Sequence, residues 1–158
     1  MSKSPITSPL GDTEREATGA ILQATLVDLI DLSLIAKQAH WNVVGPNFRS
    51  AHLQLDELVN AARQYVDDVA ERANAIGVSP NGKVRTVVES SGVPEFPDNW
   101  QSVENTVASI VQILGELIKR LRKRIEETDK SDLVTQDLLI EIAAELEKQH
   151  WMWQAQTA

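Results

Sequence analysis

Hydrophobic residues recur along most of this chain at the three- and four-residue spacing of one helical face. The clearest stripe runs from Val103 to Ile125 and predicts an amphipathic helix. Between residues 26 and 35 the apolar positions are almost continuous, which indicates a helix that is buried on more than one side. Together with this stripe, the segments 13–43, 48–76 and 132–154 predict four long helices.

Glycine and proline residues divide these helices into two pairs. Gly45 and Pro46 end the first helix, because the residue before a proline disfavours helical backbone, and Gly77 ends the second. Residues 78–99 then form a proline- and glycine-rich connection, long enough to cross from one end of a bundle to the other, with a short helix predicted at 86–90. Two helical hairpins joined by a long crossover that carries a short helix predict an all-α, ferritin-like four-helix bundle.

Composition limits the class of protein and its partners. With 158 residues and 42% hydrophobic content, we expect one bundle domain at 13–158, preceded by a flexible arm at 1–12. The absence of cysteine excludes thiolate zinc sites and iron–sulfur clusters. A net charge of -8 favours metal cations over nucleic acid as partners. Neither a signal peptide nor a membrane span is apparent, so we expect a cytoplasmic protein with no membrane partner.

A histidine and three carboxylates share one stripe of the second predicted helix. Counting from His52, residues Asp56, Asp67 and Glu71 fall at roughly 40°, 60° and 100° around the helix. Along the axis, however, His52 and Asp67 are about 22 Å apart, far more than one metal ion can bridge. Two copies packed antiparallel across a two-fold axis would bring opposite ends of this stripe together and build two equivalent metal sites. The alternative is hydrogen-bonded helix histidines beside a solvated acidic face.

Short motifs around these residues point to one family. In chain order they are Lys37-Gln38-Ala39-His40-Trp41-Asn42, Gly45-Pro46-Asn47-Phe48, His52, Leu55-Asp56, Asp67 and Ala70-Glu71-Arg72. This series closely resembles the Dps family of mini-ferritins, and the match is strongest over residues 28–77. The resemblance implies that the histidine ligands come from one subunit and the carboxylates largely from its two-fold mate. The implied dinuclear iron ligands are His40, His52, Asp56, Asp67 and Glu71.

The resemblance also implies an activity and an assembly. A hollow dodecamer would oxidise Fe(II), preferably with hydrogen peroxide, and store the ferric mineral inside. Trp41 and Trp151 would donate electrons that quench stray oxidising equivalents, although core packing is the other interpretation. Asp132 and Asp137 would line pores through which iron enters, or would simply favour a helix N-terminus. Ligand type alone also allows zinc or manganese in the same site.

Three further interpretations stay open at this stage. Glu147 and His150 form half of an intrachain di-iron motif, for which a packed histidine is the simpler interpretation. The basic stretch at 119–124 suits a solvated helix C-terminus. Many Dps proteins bind DNA through lysine-rich tails, but the arm offers only Lys3 and the last residues, 156–158, carry no cation. A DNA-compacting nucleoid protein therefore remains the alternative function, in which case the protein would be nucleoid-associated.

Overall fold

The computed structural model describes residues 4–156, in which four long helices form a bundle. In chain order the elements are α1 (Asp12–Asn42), β1 (Val43–Val44), α2 (Phe48–Ala75), α3 (Val84–Ser90), β2 (Gln101–Ser102), α4 (Val103–Thr128) and α5 (Leu133–Gln154). The predicted all-α bundle with a short crossover helix is confirmed. The predicted ends of the first, second and fourth long helices agree with the structure to within one residue.

The two hairpins of the bundle are α1 with α2 and α4 with α5. Their connection, residues 76–100, carries α3, which packs on α1. The sequence did not predict β1 and β2, two-residue strands that pair in parallel, with Val43 opposite Gln101. This pairing fixes the C-terminal end of α1 beside the N-terminal end of α4 and closes one end of the bundle.

Tight turns separate the elements where the sequence predicted breaks. Gly77 has a φ of +78°, a left-handed conformation that favours glycine, and its N–H donates to the carbonyl of Asn74 over 2.9 Å. Asn47, at the N-cap of α2, is also left-handed, with a φ of +64°, and its side chain makes no capping hydrogen bond. The turn before α2 therefore depends on backbone conformation rather than on a side-chain cap.

Helix α1 is the most apolar element of the bundle. An 18-residue window within it has a mean hydropathy of 1.6, so by length and composition it could span a membrane. However, 56% of that window is buried inside the protein, and Leu22 and Leu32 are completely buried in the hydrophobic core. A central bundle helix requires this same composition, as the near-continuous apolar run predicted.

The predicted arm begins outside the described residues, since 1–3 are not part of them, and the same holds for 157 and 158 at the other end. In the described part of the arm, Leu10 packs against the hydrophobic core. The carbonyl oxygen of Ile6 lies close enough to Gly77 that an added Cβ there would be 3.0 Å away. Residues 6–10 therefore contact their own chain.

Candidate metal centre

His40 and His52 face each other where α1 ends and α2 begins. The Nδ1 of His40 lies 2.8 Å from the carbonyl oxygen of His52, and the Nδ1 of His52 lies 2.9 Å from the carbonyl oxygen of His40. The two rings are stacked, with centroids 3.6 Å apart and planes inclined by 23°. The short turn at residues 43–47 makes this reciprocal arrangement possible, since it folds α2 back along α1.

These hydrogen bonds determine which ring nitrogen is available to a metal ion. A backbone carbonyl can only accept, so Nδ1 of each histidine carries the hydrogen. In the neutral ring Nε2 then keeps its lone pair, the form in which imidazole binds metals. His40 is buried and His52 half-buried, and the reciprocal hydrogen bonds fix the orientation of both imidazoles.

Asp56, one turn after His52, places a carboxylate beside this pair. Its Oδ1 lies 3.3 Å from the Nδ1 of His40 and 2.5 Å from the Nζ of Lys37. The hydrogen bond from Lys37 lowers the pKa of Asp56 below 3.8; partial desolvation opposes this shift, and His40 adds to it. Asp56 is thus a carboxylate at neutral pH, grouped with the histidines of its own chain.

Asp67 and Glu71 lie farther along α2, and both are exposed. About 22 Å of helix separates Asp67 from His52, as the sequence predicted. Within residues 4–156, no group of three or more histidine, aspartate or glutamate side chains is arranged to hold a metal ion. A single chain therefore places Asp56 near the stacked pair of His40 and His52 without completing a metal site, and it leaves Asp67 and Glu71 apart from them.

The two tryptophans predicted as electron donors lie on the surface of the chain. Trp41 follows His40 directly and its side chain is 67% exposed, while Trp151 is 64% exposed. Trp153, by contrast, is completely buried in the hydrophobic core. Core packing within this chain therefore explains Trp153 but neither Trp41 nor Trp151.

Asp132 and Asp137, predicted to line an iron-entry pore, have different surroundings. Asp132 is the N-cap of α5: its carboxylate accepts hydrogen bonds from the backbone N–H groups of Val134 and Thr135, and it pairs with Arg72 over 2.5 Å. Burial tends to raise the pKa of Asp132, but the hydrogen bonds from Arg72 and Thr135 outweigh it and hold the pKa below 3.8. Asp137 is exposed, and within residues 4–156 its carboxylate makes no such contact.

Glu147 and His150 do not form a di-iron half-site in this chain. Glu147 pairs with Arg122 of α4 over 2.6 Å. His150 is half-buried against α4, where its Nε2 lies 3.5 Å from the position that a Cβ on Gly115 would occupy. This arrangement agrees with the simpler interpretation of a packed histidine.

The basic stretch on α4 is solvated only in part: Lys119, Arg122 and Lys123 are exposed, as the sequence suggested, whereas the other two cations contact a buried acid. Arg124 is buried, and its guanidinium donates to the fully buried carboxylate of Asp28 over 2.7 Å. Arg120, one turn earlier, binds the same carboxylate. Their spacing of four residues places both on the inner face of the helix, a signal that was present in the sequence but was obscured by the neighbouring exposed cations.

Known proteins resemble this chain in sequence and in structure. It matches the family described as the ferritin-like domain over residues 19–158. It is 37% identical to the DNA protection during starvation protein of Mycolicibacterium smegmatis, over 92% of this chain and 80% of that protein. Its fold superimposes on DpsA14 from Streptomyces coelicolor with a TM-score of 0.92 (29% identity; 98% of this chain, 92% of that one). For Dps from Mycobacterium smegmatis the TM-score is 0.90 (36% identity; 94% of this chain, 91% of that one).

Proposed function

Since this chain belongs to the Dps family of ferritin-like proteins, we propose that it is a cytoplasmic ferroxidase and iron store. It oxidises Fe(II), preferably with hydrogen peroxide, and keeps the ferric product inside a hollow dodecameric shell. In this way it protects the cell, DNA included, from oxidative damage. Iron is the substrate and the cargo, and the same ligands can also hold zinc or manganese as a substitute.

The stacked pair His40 and His52 carries this proposal. Both Nδ1 atoms donate to backbone carbonyls, so both Nε2 lone pairs remain available to a metal ion. The carboxylate of Asp56 adds negative charge next to them. Imidazole and carboxylate together suit first-row divalent ions, and additional carboxylates would stabilise the higher charge of Fe(III).

Asp67 and Glu71 supply those additional carboxylates from a second copy of the chain. Both are exposed on α2, where an antiparallel two-fold neighbour could present them to the histidine pair. Two iron ions at each shared site can give one electron each to a single peroxide. With two protons the peroxide then leaves as two water molecules, and no hydroxyl radical is released.

Further parts of the proposal concern the route of iron and the handling of stray oxidants. The exposed carboxylate of Asp137 attracts Fe(II) at a pore, while Asp132 shapes that pore by capping α5. Trp41 and Trp151 are exposed on the single chain and become partly covered in the assembly, where they donate electrons to stray oxidants.

The test is peroxide-driven oxidation by the assembled protein. Purified oligomer is loaded anaerobically with Fe(II), stoichiometric peroxide is added, and ferric absorbance is recorded together with hydroxyl-radical trapping. We expect rapid oxidation without radical adducts. The variant His52→Ala with Asp56→Ala should lose this phase and still assemble, whereas His150→Ala, which removes the histidine outside the centre, should retain it. Unchanged kinetics in the double variant would contradict the assignment.

A complementation experiment tests the sharing of each site between two chains. One variant carries His40→Ala with His52→Ala, and the other carries Asp67→Asn with Glu71→Gln. Each should be inactive alone. When the two variants are coexpressed in equal amounts and pair at random, about half of the dimers are mixed, and each mixed dimer has one intact site of its two. About a quarter of the wild-type activity should therefore return. No recovery in verified mixed oligomers would contradict a shared site.

The second candidate function is DNA compaction, which the name of the Mycolicibacterium relative favours. Two observations argue against this function. The net charge is -8, and the α4 arginines already have acidic partners: Arg120 and Arg124 bind Asp28, and Arg122 pairs with Glu147. A gel-shift titration with duplex DNA across a range of salt concentrations separates the two functions. Retarded complexes at physiological salt would favour compaction.

A further inference from the structure

We propose that Arg120 is an ionic latch for the crossover strap, residues 91–100, which joins α3 to β2. When the latch is released, the strap opens as a unit while both helical hairpins stay folded. The inference goes beyond the proposed function and does not depend on it, because it concerns neither the histidine pair nor its carboxylates. It starts from the buried carboxylate of Asp28, which contacts two guanidiniums and the backbone of the strap.

The charges around Asp28 show that one of its two arginines is not needed for neutralisation. The side chain of Arg124 is 9% exposed and donates to Oδ2 of Asp28 over 2.7 Å, which balances the single negative charge inside the protein. Arg120 is 38% exposed, and its Nε and Nη2 each lie 3.2 Å from an oxygen of the same carboxylate. One carboxylate thus binds two cations, and the outer cation is not required to neutralise it.

What Arg120 adds is a contact with the strap. The backbone N–H of Gly92 donates to Oδ1 of Asp28 over 3.0 Å. Gly92 also lies so close to the Arg120 guanidinium that a Cβ there would fall 1.6 Å from Nη1 and 2.2 Å from Cζ. The guanidinium therefore covers Gly92 while Asp28 accepts its N–H, and only a residue without a side chain leaves room for this arrangement.

The strap can open separately because the hairpins do not depend on it. Helix α1 packs directly on α2, and α4 packs directly on α5, so each hairpin keeps its own contacts when the strap moves. None of residues 91–100 is fully buried, and the strap meets the hydrophobic core through Val93 and Phe96, which are only partly buried. Segments with few buried apolar contacts open at a low cost in free energy. One ion pair can therefore decide whether the strap is closed.

An open strap would change the surface beside the candidate metal centre without moving its ligands. The strap and α3 form one wall of a groove, and α1 forms the other. Val88 and Phe96 line the first wall, and Leu34 and Trp41 line the second. Opening of the strap widens this groove next to Trp41, while the histidine pair stays in place because it lies on α1 and α2.

The partial exposure of Arg120 makes the latch sensitive to salt. Dissolved ions screen an ion pair at the surface, whereas they screen the buried pair of Arg124 much less. Hydrogen exchange of the assembled wild-type protein, followed by mass spectrometry, measures this difference. With rising salt, we expect exchange in residues 91–98 to accelerate while exchange in the four long helices stays constant.

Two variants break the latch from opposite sides. Arg120→Met removes the guanidinium from the bundle, and Gly92→Ala expels it from the strap with a single methyl group. Each should accelerate hydrogen exchange in residues 91–98 about tenfold, as expected when a hydrogen bond to a charged group is lost, and should make this exchange independent of salt. Because both variants break the same contact, the double variant should exchange no faster than either single variant.

The chain offers a matched control for each variant. Gly11→Ala places a Cβ 2.5 Å from the end of the Glu14 side chain, where there is no latch to break. Arg122→Met removes an exposed arginine of the same helix that pairs with Glu147. Neither control should change hydrogen exchange in the strap.

Several outcomes would overturn the latch while leaving the proposed function intact. Wild-type exchange of residues 91–98 in both variants would mean that Arg120 does not hold the strap. Equal acceleration throughout both hairpins would mean that Arg120 is an ordinary stabilising ion pair. Changed binding of Co(II), which accepts the same nitrogen and oxygen ligands as iron, would mean that the strap supports the metal centre. If the variants fail to assemble, the wild-type salt titration decides, and exchange of the strap that does not respond to salt overturns the inference.

Discussion

Asp28 and Asp56 are both aspartates paired with cations, but their surroundings differ in one decisive respect. Asp28, on α1, is completely buried, and every oxygen is used: Arg120, Arg124 and the N–H of Gly92 all donate to it. Asp56, on α2, has a side chain that is 39% exposed, and its contacts converge on one oxygen.

The difference separates a structural ion cluster from a site that can accept a ligand. A fully buried carboxylate without spare acceptor capacity has no means of recruiting an ion from solution, and its partners join three segments of the fold. A carboxylate with a free oxygen at the surface, next to imidazoles with free Nε2 atoms, can bind a cation without rearrangement of the core. Both aspartates already pair with a cation, so what distinguishes them is whether a carboxylate oxygen remains free to bind a further one.

The largest effect that we predict comes from Asp28→Asn. Losing this charge leaves the buried guanidinium of Arg124 and the partly exposed one of Arg120 without a counter-ion, which should cost about 3 to 5 kcal/mol of unfolding free energy. Metal binding by the folded fraction should not change, because this cluster does not contact the histidine pair. Urea unfolding at fixed protomer concentration measures the unfolding free energy, and Co(II) titration of the folded protein measures metal binding.

The matched control for that experiment is Asp12→Asn. Asp12 also lies on α1 and pairs with an arginine, Arg15, over 2.9 Å, but its side chain is 88% exposed. We expect no measurable change in stability, since exposed ion pairs contribute little. Equal stability losses in Asp12→Asn and Asp28→Asn would contradict the distinction between exposed and buried ion pairs.

A smaller effect is expected at the second buried acid, Asp132. Its replacement by alanine removes both the N-cap of α5 and the partner of Arg72, for a loss of about 2 kcal/mol. Asparagine should restore the cap and recover roughly half of this loss. Thermal unfolding of the two variants, at matched concentration, measures the two contributions separately.

The Asp132 contribution should also depend on pH in a defined direction. The folded-state pKa of this group lies below 3.8, so its ionised form is the one that folding favours. Its stabilisation is therefore complete at neutral pH and is lost as the pH falls through and below 3.8. The stability difference between wild type and Asp132→Asn should shrink over that range. A difference that grows on acidification would contradict the assignment of the Arg72 pair.

The helical layout could be predicted from the sequence because apolar spacing and the breaks at Gly45 and Gly77 are local signals. The ion pairs between Asp28 and the arginines of α4 could not be predicted, since residues far apart in the chain meet only once the hairpins pack. The pairing of β1 with β2 is long-range as well, and two residues are too few to form a recognisable strand pattern.

The candidate metal centre was predictable in part. Helix geometry grouped His52 with Asp56, and the family resemblance added His40, which the structure places within ring-stacking distance of His52. The contact between Lys37 and Asp56 gave no signal in the sequence, because a lysine three residues before a histidine is ordinary on a helix face. For Asp132 the resemblance implied a pore, with an acid at a helix N-terminus as the alternative. Its capping contacts agree with that alternative, whereas its ion pair depends on Arg72 of another helix and could not be predicted.

The smallest effect on stability, and the sharpest test of the comparison, is expected for Asp56→Asn. Because the Asp56 side chain is partly exposed to solvent, its replacement should leave the thermal unfolding midpoint unchanged, whereas Asp28→Asn should lower it. Co(II) affinity, however, should fall by about tenfold or more, as expected when a charged ligand of a metal is lost. Paired scans of stability and Co(II) binding on the two variants should therefore give opposite results. If Asp56→Asn destabilises the protein and leaves binding intact, Asp56 belongs to the same structural class as Asp28.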